Sequence, residues 1–240
     1  MDELSFHRRL HRPGSILDVG AHDGLLTLPL ARLPGARVLA FEPLPSAFAR
    51  LHAAVLAEYG RVPPHLDLRA EALGARPGTL TLSVPILDGV AQEQWASTAK
   101  TYEAFASVTV ARHDVPVTTI DALGLADLEH VKLDAEGFEQ EVLEGASDTL
   151  RRCRPVLSLE VEERHRAGST RDVPALLRDL GYESWFVLDG IWHPHADFDA
   201  ARMQVASPDP AVFAASDPYV FTFFAWPVDR SAGIRATLAG

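Results

Sequence analysis

Two hydrophobic periods alternate along the chain, and the points where one gives way to the other mark its elements. Ile16, Leu17 and Val19 form a short apolar run interrupted by Asp18, the pattern of a buried strand. Arg37–Phe41, Leu66–Ala70, Val131–Leu133 and Val156–Val161 predict four more strands. Leu25–Leu33 and Ser46–Glu58 instead read as helices, with Pro29 tolerable only near a first turn and Pro45 suited to a helix start. Phe48, Leu51, His52 and Val55 share one helical face, which makes His52 a packed core histidine rather than a ligand. Phe138, Val142, Ala146 and Leu150 form the buried stripe of another helix, and Val173–Leu180 is a further one, ended by Gly181. Trp185–Leu188 and Val220–Ala225 read as a closing antiparallel edge. Strand, helix and strand thus alternate as βαβ units of a doubly wound α/β sheet.

Other stretches depart from this rhythm. Thr79–Val84 alternates strictly, a half-buried strand ended by Pro85. Residues 85–106 are polar and aperiodic, and Val108, Val110, Val115 and Val117 suggest two short strand pieces interrupted around His113 and Asp114. Thr118 followed by Asp121 predicts a capping box for a short helix. Asp189–Pro218 is long; His193 and His195, two apart, are weak as a metal pair and read as part of a polar loop. Few residues precede the first strand, so a helical lid is not expected there. Residues 85–115 and 189–218 are the expected substrate-covering insertions of a single domain over 1–240.

Composition narrows the class. A length of 240 residues, 47% of them hydrophobic, suits one large α/β domain. The formal charge of −11 argues against general nucleic-acid binding, which needs a basic footprint. The single Cys153 excludes an internal disulfide and a multi-cysteine zinc site, and fits a reducing, cytoplasmic setting. The start lacks the apolar core of a signal peptide, and no apolar run approaches a membrane span, so no membrane partner is expected. His7, Arg8, Arg9, His11 and Arg12 form a basic arm, read as a solvated leading helix rather than a device steering anionic substrates. Self-association into a homo-oligomer stays open.

The candidate chemistry begins at the first strand's end. In Asp18-Val19-Gly20-Ala21-His22-Asp23-Gly24, glycines let backbone approach a ligand closely. A dinucleotide fingerprint needs a glycine where His22 stands, so pyrophosphate binding is disfavoured. Asp18 and Asp23 would repel phosphate and suit a cationic ligand, which favours S-adenosylmethionine (SAM) over NAD. A structural turn with a capping aspartate is the plainer alternative. Glu42, ending the second strand before Pro43, is placed to hold a ribose diol, with helix capping the lesser reading. After the third strand, Glu71 is expected at the edge of an adenine and Ala72 and Leu73 on its face, unless Gly74 only marks a turn. Lys132, in mid-strand, must be paired, and Glu160 or Asp134 is the expected partner. Asp134 and Glu136 are candidates for positioning an acceptor and taking its proton; equally, Asp134 pairs with Lys132 and Glu136 caps the next helix. Both could join a hard divalent cation, but the adjacent Asp-Asn pair of metal-dependent catechol-type enzymes is absent, so no metal ligand is assigned.

These stretches together resemble the FkbM family of SAM-dependent methyltransferases over roughly Ile16–Val187. The resemblance rests on I-L-D-V-G-A-H-D-G, V-L-A-F-E-P, A-L-G, V-T-T-I-D and, most specifically, V-K-L-D-A-E-G-F-E-Q-E-V-L-E-G-A. It implies a class I methyltransferase fold, a Rossmann-like three-layer sandwich whose mostly parallel seven-stranded sheet runs 3-2-1-4-5-7-6 with the last strand antiparallel. It also implies O-methylation of a hydroxyl on a small molecule, natural product or sugar. His22-Asp23 departs from the Asn and apolar residue frequent in the family. D-A-E-G after the fourth strand, in place of N-P-P-Y or D-P-P-Y, disfavours an amine acceptor. The competing classes are an NAD-dependent oxidoreductase and a non-catalytic SAM- or metabolite-binding domain.

Overall fold

The computed structural model describes residues 1–87, 90–91, 109–205, 207 and 217–239. Its frame is built from β1 (Gly14–Val19), β2 (Ala36–Phe41) and β3 (Leu66–Arg69), with α1 (Glu3–Arg9), α2 (Thr27–Ala31) and α3 (Pro45–Tyr59) alongside. Ala72–Leu73 is β4, Gly78–Leu87 β5, Val90–Ala91 β6 and Thr109–Thr118 β7. Leu128–Leu133 is β8, followed by α4 (Glu139–Glu144), α5 (Ser147–Cys153), β9 (Val156–Glu160) and α6 (Ser169–Asp179). Tyr182–Leu188 is β10, Ile191–Pro194 β11, Ala200–Met203 α7, Thr222–Pro227 β12 and Ser231–Ala239 α8.

The fold is the three-layer α/β arrangement that the repeat of strand and helix dictates. The main sheet runs β3-β2-β1-β8-β9-β12-β10-β11. Its first seven members reproduce the expected order, and β12 lies antiparallel to both β9 and β10. The sheet has eight strands rather than seven because Ile191–Pro194, expected as a polar loop, pairs with β10. Leu188 faces Ile191 across a two-residue turn, Asp189-Gly190, with φ of 50° and 77°. That is the positive-φ turn hairpins favour, and glycine adopts it without a Cβ clash.

The central strands are buried on both faces, so they read as near-continuous apolar runs. Leu17, Leu39, Val131 and Leu157 pack with Val142, Leu150, Val173 and Leu177 of α4–α6. On the other face, Ile16 and Val38 meet Leu30, Leu51 and Val55 of α2 and α3, while Val156, Phe224 and Trp226 meet Phe6 of α1 and Ile234 of α8. His52 points outward and is exposed, so it is not a core residue; Ala47, Leu51 and Val55 form the buried stripe.

A four-stranded sheet, β4-β7-β5-β6, stands apart from the main one. β7 is continuous across His113 and Asp114 rather than two pieces, and it pairs antiparallel with β5 from Gly78↔Val117 to Ile86↔Thr109. Asp114 faces out and accepts from Thr81 Oγ at 2.6 Å. The polar residues predicted for the 85–106 loop lie mostly outside the described residues, as does Val108. Thr119, not Thr118, caps the short helical turn Asp121–Leu123 by accepting from Ala122 N; Asp121 instead accepts from Asp148 N and Thr149 N, at the start of α5.

Of the basic arm, Arg8, Arg9 and Arg12 are exposed as expected, but His7 belongs to the core and His11 is half-buried. Asp2 caps α1, accepting from Ser5 N, and Phe6 and His7 are completely buried. Among the described residues no helix is long and apolar enough to cross a membrane.

Candidate active site

The carboxyl ends of β1, β2 and β8 converge on one cavity of about 360 Å³. Open α/β sheets bind ligands at this edge, where the crossovers diverge. β1 delivers Asp18 and the turn after it. Gly20 has φ of 75°, and a Cβ on it would lie 2.0 Å from the Asp134 carbonyl oxygen, so no other residue fits. Gly20 N and Ala21 N donate to Phe41 O at 2.9 and 3.0 Å, tying the turn to β2. His22 takes a positive φ of 48°, and its backbone N–H donates to Glu42 Oε2 at 2.8 Å.

Lys132 holds this crossing from beneath. Its ammonium donates to Gly20 O at 2.6 Å and Val19 O at 3.1 Å, and stands 3.6 Å from Asp134 Oδ2 and 3.7 Å from Asp18 Oδ1. Of the two expected partners, then, Asp134 is in ion-pair range, and Asp18 joins it. Burial works against the Lys132 charge, but Asp134 and Asp18 outweigh it and hold its pKa above the ordinary value. Asp18 is wholly buried and accepts from Thr27 Oγ1 at 2.5 Å. It therefore supports the turn from below while lining the cavity floor.

The cavity brings together nearly all of the predicted residues. Asp18, Gly20, Ala21, His22 and Asp23 line it from the end of β1 and its turn, Glu42 and Pro43 from the end of β2, Glu71 from the loop after β3, Ala72 and Leu73 from β4, and Asp134 and Glu136 from the turn after β8. Gly24 is not among its lining residues; it packs toward Leu51 of α3. Glu42 is almost fully buried, and its other oxygen accepts from Leu44 N at 2.9 Å at the start of α3, so it caps the chain there as well as facing the cavity. Burial raises its pKa, opposed by the Leu44 and His22 N–H groups.

The two acids after β8 are held differently. Asp134 Oδ2 faces Lys132, while its buried Oδ1 accepts no hydrogen bond among the described residues. Glu136 has φ of 51°, and its Oε2 lies 3.2 Å from His165 Nε2. It does not close the turn before α4; Glu139 does, accepting from Ala135 N at 3.1 Å and Gly137 N at 2.9 Å. Burial pushes Glu139 up to about 7 against those two bonds.

Other site residues had no legible signal. Glu3 lines the cavity from α1, accepting from Ser158 Oγ at 2.7 Å; burial raises its pKa, opposed by Lys132. Leu80 and Leu82 of β5 line it from the second sheet. Their alternation announced a strand but not where it docks. Beside Glu136, Glu160 is pushed up to about 9 by burial and by the charges of Asp134, Glu162 and Glu136. Glu162, fully buried, is lowered instead: Arg164, His165 and the Tyr219 hydroxyl together outweigh its burial.

The profile described as the methyltransferase FkbM domain matches residues 18–184. No curated protein matches the chain. Among solved structures, the methyltransferase FkbM from Methylobacillus flagellatus KT is similar at 15% identity and a TM-score of 0.54, over 93% of this chain and 50% of that one. The chain thus spans half the length of that protein. The precorrin-6y C5,15-methyltransferase from Geobacter metallireducens GS-15 matches at 16% identity and a TM-score of 0.48, over 93% of this chain and 85% of that one. A SAM-dependent O-methyltransferase from Thermotoga maritima matches at 12% identity and a TM-score of 0.47, over 94% and 64%.

Proposed function

The chain belongs to the FkbM family of SAM-dependent methyltransferases, and from that premise we propose that it methylates a hydroxyl of a small-molecule acceptor such as a natural product or sugar. The observation that carries the reading is Asp134. One of its oxygens is tied to Lys132, and the other, buried at the cavity wall, accepts no hydrogen bond among the described residues. A carboxylate left this way calls for a donor from a ligand.

The residues present suit SAM. Gly20 passes so close to Asp134 that the turn leaves backbone, not side chain, against the ligand. Glu42 is placed to accept from ribose hydroxyls, and Glu71, Ala72 and Leu73 to border an adenine. Asp23 and the Gly20–His22 turn would hold the charged amino-acid end, with Asp18 reinforcing the negative field from the cavity floor. When bound, SAM supplies an electrophilic methyl group on a sulfonium.

An aliphatic hydroxyl is a weak nucleophile at neutral pH, so its proton must be taken as the new bond forms. Asp134 Oδ1 is the acceptor for that proton, and Glu136 orients the hydroxyl from the same wall. Lys132 keeps Asp134 in place, which contributes alignment for an in-line displacement. None of the described residues of 85–115 and 189–218 lines the cavity, so their covering role rests on where they attach. β7 backs β5, whose Leu80 and Leu82 reach the cavity. At the other end, Gln204 donates to Val161 O and Val220 O at 2.7 Å each, fastening residues 200–205 beside Glu162.

The test is turnover of SAM to S-adenosylhomocysteine on a panel of hydroxylated and aminated acceptors. The proposal expects activity on hydroxyls, and an Asp134→Asn loss of about 100-fold or more in kcat with SAM affinity nearly unchanged. Activity confined to amines, or unchanged turnover in Asp134→Asn, refutes it.

A further inference from the structure

We propose that Glu136, Glu160 and His165 form a divalent-cation site on the acceptor side of the cavity. Whether the cation binds is independent of the methyl-transfer reading; what it does there rests on that reading. The three residues come from separate places that the sheet brings together. Glu136 follows β8 and lines the cavity. Glu160 ends the neighbouring β9, one residue beyond the Leu133↔Leu159 pair. His165 lies in the turn after β9 and packs over Gly137, where an added Cβ would meet its carbonyl oxygen at 3.1 Å.

One ligand atom from each of the three lies within 4.8 Å of the other two. Donors bound at ~2.1 Å to one ion stand ~3.0 Å apart in octahedral and ~3.4 Å apart in tetrahedral geometry. Glu136 Oε2 and His165 Nε2, at 3.2 Å, already have that spacing, and a side-chain rotation of Glu160 closes the set. The His165 side chain is 2% exposed, so its ring is held by packing rather than by solvent.

Charge points the same way. His165 Nε2 also stands 3.3 Å from Glu162 Oε1, so the ring nitrogen faces two carboxylates, a setting that suits a metal ion between them. Lys132 is paired with Asp18 and Asp134, and Arg164 with Glu162. The Glu160 side chain accepts no hydrogen bond among the described residues. Two carboxylate oxygens and an imidazole nitrogen favour manganese, iron or zinc over magnesium, whose preference is for oxygen alone. At this wall the ion would bind the acceptor hydroxyl and lower its pKa. The hydroxyl proton passes to Asp134; the oxygen bonds to the methyl carbon as the carbon–sulfur bond breaks, leaving the electron pair on sulfur.

The experiment is a manganese titration of the EDTA-stripped full chain, followed by electron paramagnetic resonance and calorimetry, with SAM affinity measured in parallel. The proposal expects one saturable site that Glu160→Gln and His165→Gln each weaken about tenfold or more, with unchanged SAM affinity and melting curves still cooperative. Glu160→Gln, nearly isosteric, serves if His165→Gln fails to fold. No saturable manganese binding up to about 1 mM, or equal binding by the folded Glu160→Gln variant, overturns the site. Site-specific manganese binding without SAM binding upholds the site and defeats the methyl-transfer reading. SAM binding with turnover, but no saturable manganese binding, does the reverse.

Discussion

Gly20 is the residue with least freedom. Its α-carbon hydrogen faces the Asp134 carbonyl where a methyl group would sit 2.0 Å away, so Gly20→Ala must part β1 from β8. A loss of about 3 kcal/mol or more in urea unfolding is expected, together with loss of SAM binding. Lys132 has the complementary role. Lys132→Met leaves buried Asp18 and half-buried Asp134 without their cation, which should destabilise the fold by about 3 kcal/mol at neutral pH. Glu139 carries a pH signature. Its carboxyl is raised by burial to about 7 in the folded chain, so the folded state holds its proton more tightly than the unfolded state. Stability from this group is full below the unfolded value and falls as pH rises toward 7. Glu139→Gln keeps an acceptor for the Ala135 and Gly137 N–H groups without the charge. Its stability relative to the parent should climb from near zero at pH 4 to roughly 3 kcal/mol by pH 8; a pH-independent difference would contradict this. At this scale most cavity residues were legible, because the acids and glycines stand at strand ends. Glu160 and His165 were not gathered, since only the β8–β9 register brings them to Glu136.

Among the elements, α1 departs furthest from expectation. Its arginines are exposed as expected, yet Phe6 packs on Phe224 with ring centroids 4.7 Å apart, and His7 bridges His130 Nδ1 at 3.1 Å and Ser158 Oγ at 3.0 Å. Seven residues with charges at the far end offer too few apolar positions to reveal such a face. Burial drives His7 down to about 3, and burial with His7's own charge drives His130 to about 2. Both rings should stay uncharged at pH 5 by heteronuclear NMR, and charging near pH 6.5 would show that α1 does not seat as described. This pair favours the fold above pH 6.5 and ceases to do so as pH falls toward those low values. β11 and β7 were missed for local reasons. β11 is short and follows an Asp189-Gly190 turn whose hairpin signal was present but unread. In β7, His113 sits at an inward position between exposed Arg112 and Asp114, which hid an alternation that is in fact regular.

For the molecule as a whole, the parallel core was legible because its strands are buried on both faces and its helices obey one period. The second sheet was not, because strict alternation identifies a strand without naming the sheet it joins. The resulting architecture collects carboxylates from β1, β2 and β8 around a cavity whose buried cation, Lys132, is turned toward the crossing rather than free for a phosphate. With a net charge of −11 behind it, that arrangement favours a cationic ligand over a dinucleotide. Isothermal titration of the purified chain with SAM, S-adenosylhomocysteine and NADH tests this most directly. Saturable binding of SAM and S-adenosylhomocysteine well below about 1 mM, with none of NADH, is the predicted result. Binding of NADH, with SAM and S-adenosylhomocysteine both ignored over the same range, would contradict it.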